Sequence, residues 1–180
     1  MAFPGPEQRS ALLGSLVARR LDRELGRALF APRFWHQCLS LGIDDTPDHR
    51  ARFLAALRDV AAVEVPLTFS RIVGSGQVPK LHWAFRRRGS ADEFAALVRT
   101  IGRAMANHGV FQDVMPTAHV TASYRAPRAL HSTPIAPIDW LIDEIHLVAT
   151  HHETFRYEIV ASSRLSPPQA RWATQLALPF

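Results

Sequence analysis

Phe34-Trp35-His36-Gln37-Cys38-Leu39-Ser40-Leu41-Gly42 is the stretch on which the reading of this chain turns. Side chains of an extended backbone alternate between faces, so His36, Cys38 and Ser40 look one way while Trp35, Leu39 and Leu41 form an apolar row on the other. This is the pattern of a strand with one face in a core. The arrangement returns 83 residues later (119 minus 36) in Ala118-His119-Val120-Thr121-Ala122-Ser123-Tyr124-Arg125. There His119, Thr121 and Ser123 share a face, and Ala118, Val120, Ala122 and Tyr124 supply the other.

Working outward, both stretches follow a helical pattern. Leu12, Leu16, Val17, Leu21, Leu25 and Leu29 recur at three and four, which predicts an amphipathic helix from Pro6 to about Leu29, ended by Pro32. After the first stretch, Asp45, Thr46 and Pro47 cap a helix reaching Val60. Two strands follow, VEVPLTFSRIVG and KLHWAFRR, joined by a turn at Ser75, Gly76 and Gln77; Leu81, Trp83 and Phe85 alternate there against Lys80, His82 and Arg86. Ser90 and Asp92 open a third helix carrying Phe94, Leu97, Val98, Ile101 and Met105 and closing near His108 and Gly109. Beyond the second stretch a Pro-rich loop is expected from Arg125 to Pro137, then the strands IDEIHLVAT and FRYEIVASS with a tight polar connection at His151, His152 and Glu153. The order helix, histidine strand, further strands thus occurs twice, a repeat of pattern and not of identities.

A length of 180 residues suits one compact domain spanning 1–180, and 47% hydrophobic with 21% charged residues places the chain among folding sequences, away from disorder. The net charge of +5 comes almost entirely from arginine, whose planar donor fork matches phosphate. One cysteine, Cys38, excludes an internal disulfide and a four-thiolate zinc site. The apolar run Ala11–Ala18 is broken by Gly14 and Ser15 and precedes its arginines. It therefore resembles neither a signal peptide nor a membrane span, and a cytoplasmic, monomeric protein without membrane attachment is expected.

Two imidazoles facing one cleft suit in-line displacement at phosphorus. A neutral histidine removes a proton from water, an imidazolium protonates the departing oxygen, and a pKa near 6.5 keeps both forms available. Hydroxyls at Thr121 and Ser123, with arginines, would hold the non-bridging oxygens. His131-Ser132-Thr133 and His152-Glu153-Thr154 match the same His-x-Thr spacing, but the first runs into Pro134 in a loop and the second sits at a hairpin tip, so strand context selects His36 and His119. Taken singly, a strand histidine is more often satisfied by a backbone carbonyl than catalytic; the matched pair reverses that preference.

With these motifs in view the chain resembles the 2H phosphoesterases, specifically the LigT-like group of 2'-5' RNA ligases and RNA 2',3'-cyclic phosphodiesterases. WHQCLSLG is similar to the family's first motif and PTAHVTASY to its second, and the likeness extends through LHWAF, DEIHLVAT and FRYEIVASS. The resemblance implies an α+β, two-lobed pseudo-symmetric fold with antiparallel sheets around a central cleft and helices outside, and hydrolysis of 2',3'-cyclic phosphates of RNA ends or nucleotides without metal or other cofactor. Residue by residue it assigns His36 and His119 as catalytic and Thr121 as phosphate-binding; Cys38, Ser40, Ser123 and Arg125, expected on the same strand faces, are the further candidate phosphate contacts. Cys38 departs from the family's hydroxyl, a much better donor than a thiol. The family's opening strand is missing or reduced to Met1–Phe3. The alternative is a weak or inactive relative that binds RNA or a nucleotide, and ligation through the same site is the reverse reaction.

Other features carry blander readings. His151, His152 and Glu153 lack an obvious third metal ligand on one face. Arg86-Arg87-Arg88 is a solvated strand end or a guide for an RNA backbone. His82 is a surface histidine, and Trp35, Trp83, Trp140 and Trp172 are core residues.

Overall fold

The computed structural model describes residues 1–77, 80–87, 92–151 and 156–168. The opening helical pattern is split: α1 spans Pro6–Ala18 and α2 spans Leu21–Leu25, followed by a 3-10 turn at Gly26–Ala28. Arg20 separates them with a left-handed φ of 58°, a helix-ending conformation, yet Leu12, Leu16, Leu21 and Leu25 all remain buried. The periodicity survives because the chain turns around one core, not along one axis. α3 runs Pro47–Arg58, with the Thr46 hydroxyl accepting a hydrogen bond from the His49 amide (3.2 Å) as an N-cap should.

β1 (Val65–Ser75) and β2 (His82–Arg87) form the expected antiparallel pair, and Gly76 takes a φ of 95° as the chain leaves β1. α4 spans Asp92–Asn107 and buries Phe94, Leu97, Val98, Ile101, Ala104 and Met105 along one face. Ser90, offered as its opening residue, lies outside the described residues, as do Arg88, His152, Glu153 and Trp172. β3 covers His119–Ser123.

The Pro-rich segment is not all loop: Thr133–Ile142 is a strand, β4, antiparallel to β1. β4 is the outer strand of the sheet β3-β2-β1-β4, and an outer edge needs no amide donors, so Pro134 and Pro137 are accommodated there. β5 (Glu144–His151) and β6 (Arg156–Arg164) make a second, two-stranded antiparallel sheet.

The FWHQCLSLG segment is likewise not a regular strand. A 3-10 turn at Pro32–Phe34 precedes it, and only Gln37 makes a ladder contact, an antiparallel bridge to Ala2 (2.9 Å in each direction). Met1 in turn exchanges backbone hydrogen bonds with His146 of β5. The residues Met1–Phe3 therefore lie between the His36 segment and the smaller sheet. On its other side that segment reaches the larger sheet: Trp35 packs edge-on against Phe85 of β2 (5.5 Å between ring centroids), and the Phe30 amide donates to the Ala122 carbonyl (2.8 Å). Trp35, Trp83 and Trp140 are all buried.

Candidate active site

His36 and His119 are held in the same local way. Each ring donates its Nδ1–H to the backbone carbonyl two residues earlier, Phe34 O at 2.9 Å and Thr117 O at 2.8 Å. A carbonyl can only accept, so Nδ1 carries the hydrogen and Nε2 of each neutral ring keeps its lone pair. Burial lowers both pKa values from the ordinary histidine range; the carbonyl bonds oppose this in each, and charges on Arg86, His82 and His36 lower that of His119 further.

Gln37 joins the two histidine segments. It is fully buried, and its Nε2 donates to Cys38 O (2.6 Å) and Thr117 O (3.1 Å) while its Oε1 accepts the His119 amide (2.6 Å). The Thr117 carbonyl thus fixes the His119 ring and is itself fixed by Gln37. The alternation around His36 treats the opposite face as an apolar row and passes over Gln37; a polar residue between Trp35 and Leu39 was the available signal.

A β-bulge reshapes the second motif. Trp83 pairs with Ser123 but Ala84 pairs with Thr121, which leaves Ala122 as an extra residue in β3. Ser123 is consequently placed opposite core-forming Trp83, fully buried, with its hydroxyl accepting the Arg125 amide at 3.1 Å. It does not share the face of His119 and Thr121, as strict alternation predicts. Tyr124, assigned by alternation to the apolar face, instead lies close to Thr121 and Cys38; burial pushes its phenol up and the Thr121 hydroxyl partly offsets this. The regular strand ends before Arg125, an exposed residue in the following bend.

On the first motif, Cys38 is half-buried near Tyr124 and Tyr157, and burial raises its thiol pKa, so it stays neutral at ordinary pH. Ser40 belongs elsewhere. It lines a cavity of ≈ 520 Å³ with Leu39, Phe53, Leu57, Met105 and Ile145, on the side of α3, α4 and β5, and neither histidine borders that space.

Beside His36 the site is aromatic. Tyr157 meets the His36 ring edge-to-face at 5.2 Å, with Phe34 5.9 Å and Phe3 6.1 Å from the Tyr157 ring. Burial, with charge on Tyr124 and Cys38, holds the Tyr157 phenol up at about 12. These rings also line a cavity of ≈ 350 Å³ that includes Arg9, Arg33 and Arg156. Tyr157 is far from both motifs in sequence and carried no signal there. Beside His119, Arg86 is its cross-strand partner and donates to the Thr117 hydroxyl (2.8 Å). Among the described residues no three His, Cys, Asp or Glu side chains gather as a metal site would need, and no helix is long and apolar enough to cross a membrane.

No family model matches this sequence, and no curated protein does. Solved structures do match. A structure of E. coli LigT complexed with 3'-AMP aligns with a TM-score of 0.70 at 21% identity, over 91% of this chain and 94% of that one. A phosphoesterase crystal structure aligns at 0.69 and 19% identity over 92% and 95%, and TT0787 of Thermus thermophilus at 0.64 and 17% over 92% and 96%. E. coli LigT is also recorded in complexes with NADP+ and with phosphate. At these identities the likeness establishes architecture, and the chain has the α+β LigT-like fold that the resemblance implies.

Proposed function

We propose that this chain is a phosphodiesterase that hydrolyses 2',3'-cyclic phosphates of nucleotides or RNA ends, with His36 and His119 as general base and general acid. The observation that carries the reading is the pair of matched Nδ1–carbonyl bonds, which leave Nε2 of each ring as its proton-transfer atom. One neutral Nε2 takes a proton from water as the water oxygen bonds to phosphorus. The other ring, protonated, delivers its Nε2 proton to the ribose oxygen as the P–O bond breaks. Atoms balance with one water consumed, and the proton pair is restored by exchange between the rings and solvent. The Thr121 hydroxyl supplies a donor for the non-bridging oxygens. Phe34 and Tyr157 offer aromatic faces for a base, in keeping with the nucleotides recorded on E. coli LigT.

The test is turnover of 2',3'-cyclic AMP by the parent and by single variants. His36→Ala and His119→Ala should each lose roughly 10² to 10⁴ in kcat with unchanged circular dichroism, and the double variant should lose less than the product. His131→Ala, at an exposed loop position, should be near neutral. Comparable losses at His131 would refute the choice of pair. Binding of 3'-AMP without any turnover would leave a nucleotide-binding relative instead.

A further inference from the structure

Three cross-strand partners stand in one row on the larger sheet: Arg71 of β1 faces Arg86 of β2, and Arg86 faces His119 of β3. Directly paired residues project from the same side of a sheet, at steps of about 5 Å per strand. The row therefore runs from the proton-transfer ring along two guanidiniums. The opposite side carries Ile72, Phe85 and Val120, all fully buried, so the arginines lie on the face away from the core.

Two like charges side by side, partly withdrawn from water, are costly unless something negative joins them. Burial and then the Arg71 charge lower the Arg86 pKa, which is the mark of an uncompensated pair. Among the described residues neither arginine has a carboxylate partner. Arg86 commits one nitrogen to the Thr117 hydroxyl, and among the described residues the buried Nε of Arg71 has no acceptor. A guanidinium with an orphaned buried donor beside a second guanidinium is half of a bidentate phosphate clamp.

We propose that the Arg71–Arg86 row binds a second phosphate of the substrate, so that the ligand class is a nucleotide bearing a 5'-phosphate or 5'-phosphodiester in addition to the phosphate at His36 and His119. This rests on the reading of the two histidines as the phosphate-cleaving pair. It extends that reading by making the scissile group the terminal phosphate of a longer anion, with the next phosphate held along the sheet. The arginines, not the histidines, then set the preference among substrates.

The experiment is calorimetric binding of 3'-AMP and of adenosine 3',5'-bisphosphate to the full chain, alongside turnover of 2',3'-cyclic AMP with and without a 5'-phosphate. The 5'-phosphate should tighten binding about tenfold to a hundredfold, the gain expected of one or two charge-assisted hydrogen bonds. In Arg71→Gln the ratio of the two affinities should fall toward one, and Arg71→Lys should recover part of it. Adenylyl-(3',5')-adenosine 3'-phosphate separates the sources. An equal gain from this diester assigns the row to an RNA chain, whereas a gain from the bisphosphate alone assigns it to free 5'-phosphorylated nucleotides. Equal affinities for 3'-AMP and the bisphosphate, with cyclic AMP turned over, would overturn the second-phosphate site and leave the catalytic reading standing. So would a preference that persists in folded Arg71→Gln. Failure of both ligands to bind, with no turnover, would overturn both.

Discussion

Removing the Gln37 side-chain amide is the most informative single perturbation, because that amide bonds three backbone groups in the segments of both His36 and His119. Gln37→Leu keeps the volume nearly constant and leaves the His119 amide, the Cys38 carbonyl and one contact of the Thr117 carbonyl unmatched. A typical hydrogen bond contributes about 1 kcal/mol net, and a buried group left unsatisfied costs about 1–3 kcal/mol. Thr117 O retains the His119 ring as a donor, so two groups are truly orphaned. The expected destabilisation is roughly 2–4 kcal/mol, less if water enters. Urea unfolding reads this as a lower midpoint at constant slope. Function should suffer separately: with the Thr117 carbonyl no longer pinned, the His119 ring loses its fixed orientation, and kcat should fall roughly tenfold to a hundredfold with KM little changed. A merely structural role for Gln37 predicts the stability loss with full kcat under strongly folding conditions. That result would refute the positioning argument, and a midpoint shift worth under about 0.5 kcal/mol would refute the hydrogen-bond argument beneath it.

Cys38→Thr should preserve or improve turnover, up to about tenfold, by giving a hydroxyl where the thiol is a weak donor, and Cys38→Ala should cost little; complete loss in the alanine variant would point to a nucleophilic cysteine. The kcat/KM profile should peak below pH 6.5, because burial lowers both histidines in the free enzyme and catalysis needs the pair to hold one proton; an optimum above pH 7 would contradict this. Stability should fall on acidification through the same region. His36, His119 and His146 have folded pKa values below the unfolded value near 6.5, so the unfolded chain binds more protons as pH drops from there, and thermal melts in single-histidine variants should show a flatter acid limb. Activity should persist in excess EDTA, since proton transfer and charge stabilisation are assigned to side chains; loss on chelation restored by zinc or manganese would count against the two-histidine mechanism.

Local pattern was enough to single out the His36 and His119 segments, to find α3 from its cap and α4 from its apolar spacing, and to pair β1 with β2. Those features are governed by residues close by in the chain. The rest depended on contacts between distant segments. β4 hid behind Pro134 and Pro137 because whether a proline is tolerated in a strand depends on which sheet edge the strand occupies, a property of the assembled sheet. Ser123 and Tyr124 exchanged faces because one extra residue at Ala122 breaks the period of two, and only the pairing with β2 reveals it. Ser40 turned to a different cavity because the His36 segment is held by Trp35, Gln37 and the Met1–Phe3 bridge, not by a continuous ladder along which alternation would persist. Gln37, Tyr157 and the Arg71–Arg86 row gain their meaning from residues tens of positions away. The two histidine motifs and the α+β class of fold were legible in the chain alone; tertiary pairing settled which groups surround those histidines, since side-chain direction follows backbone register and register is set between strands.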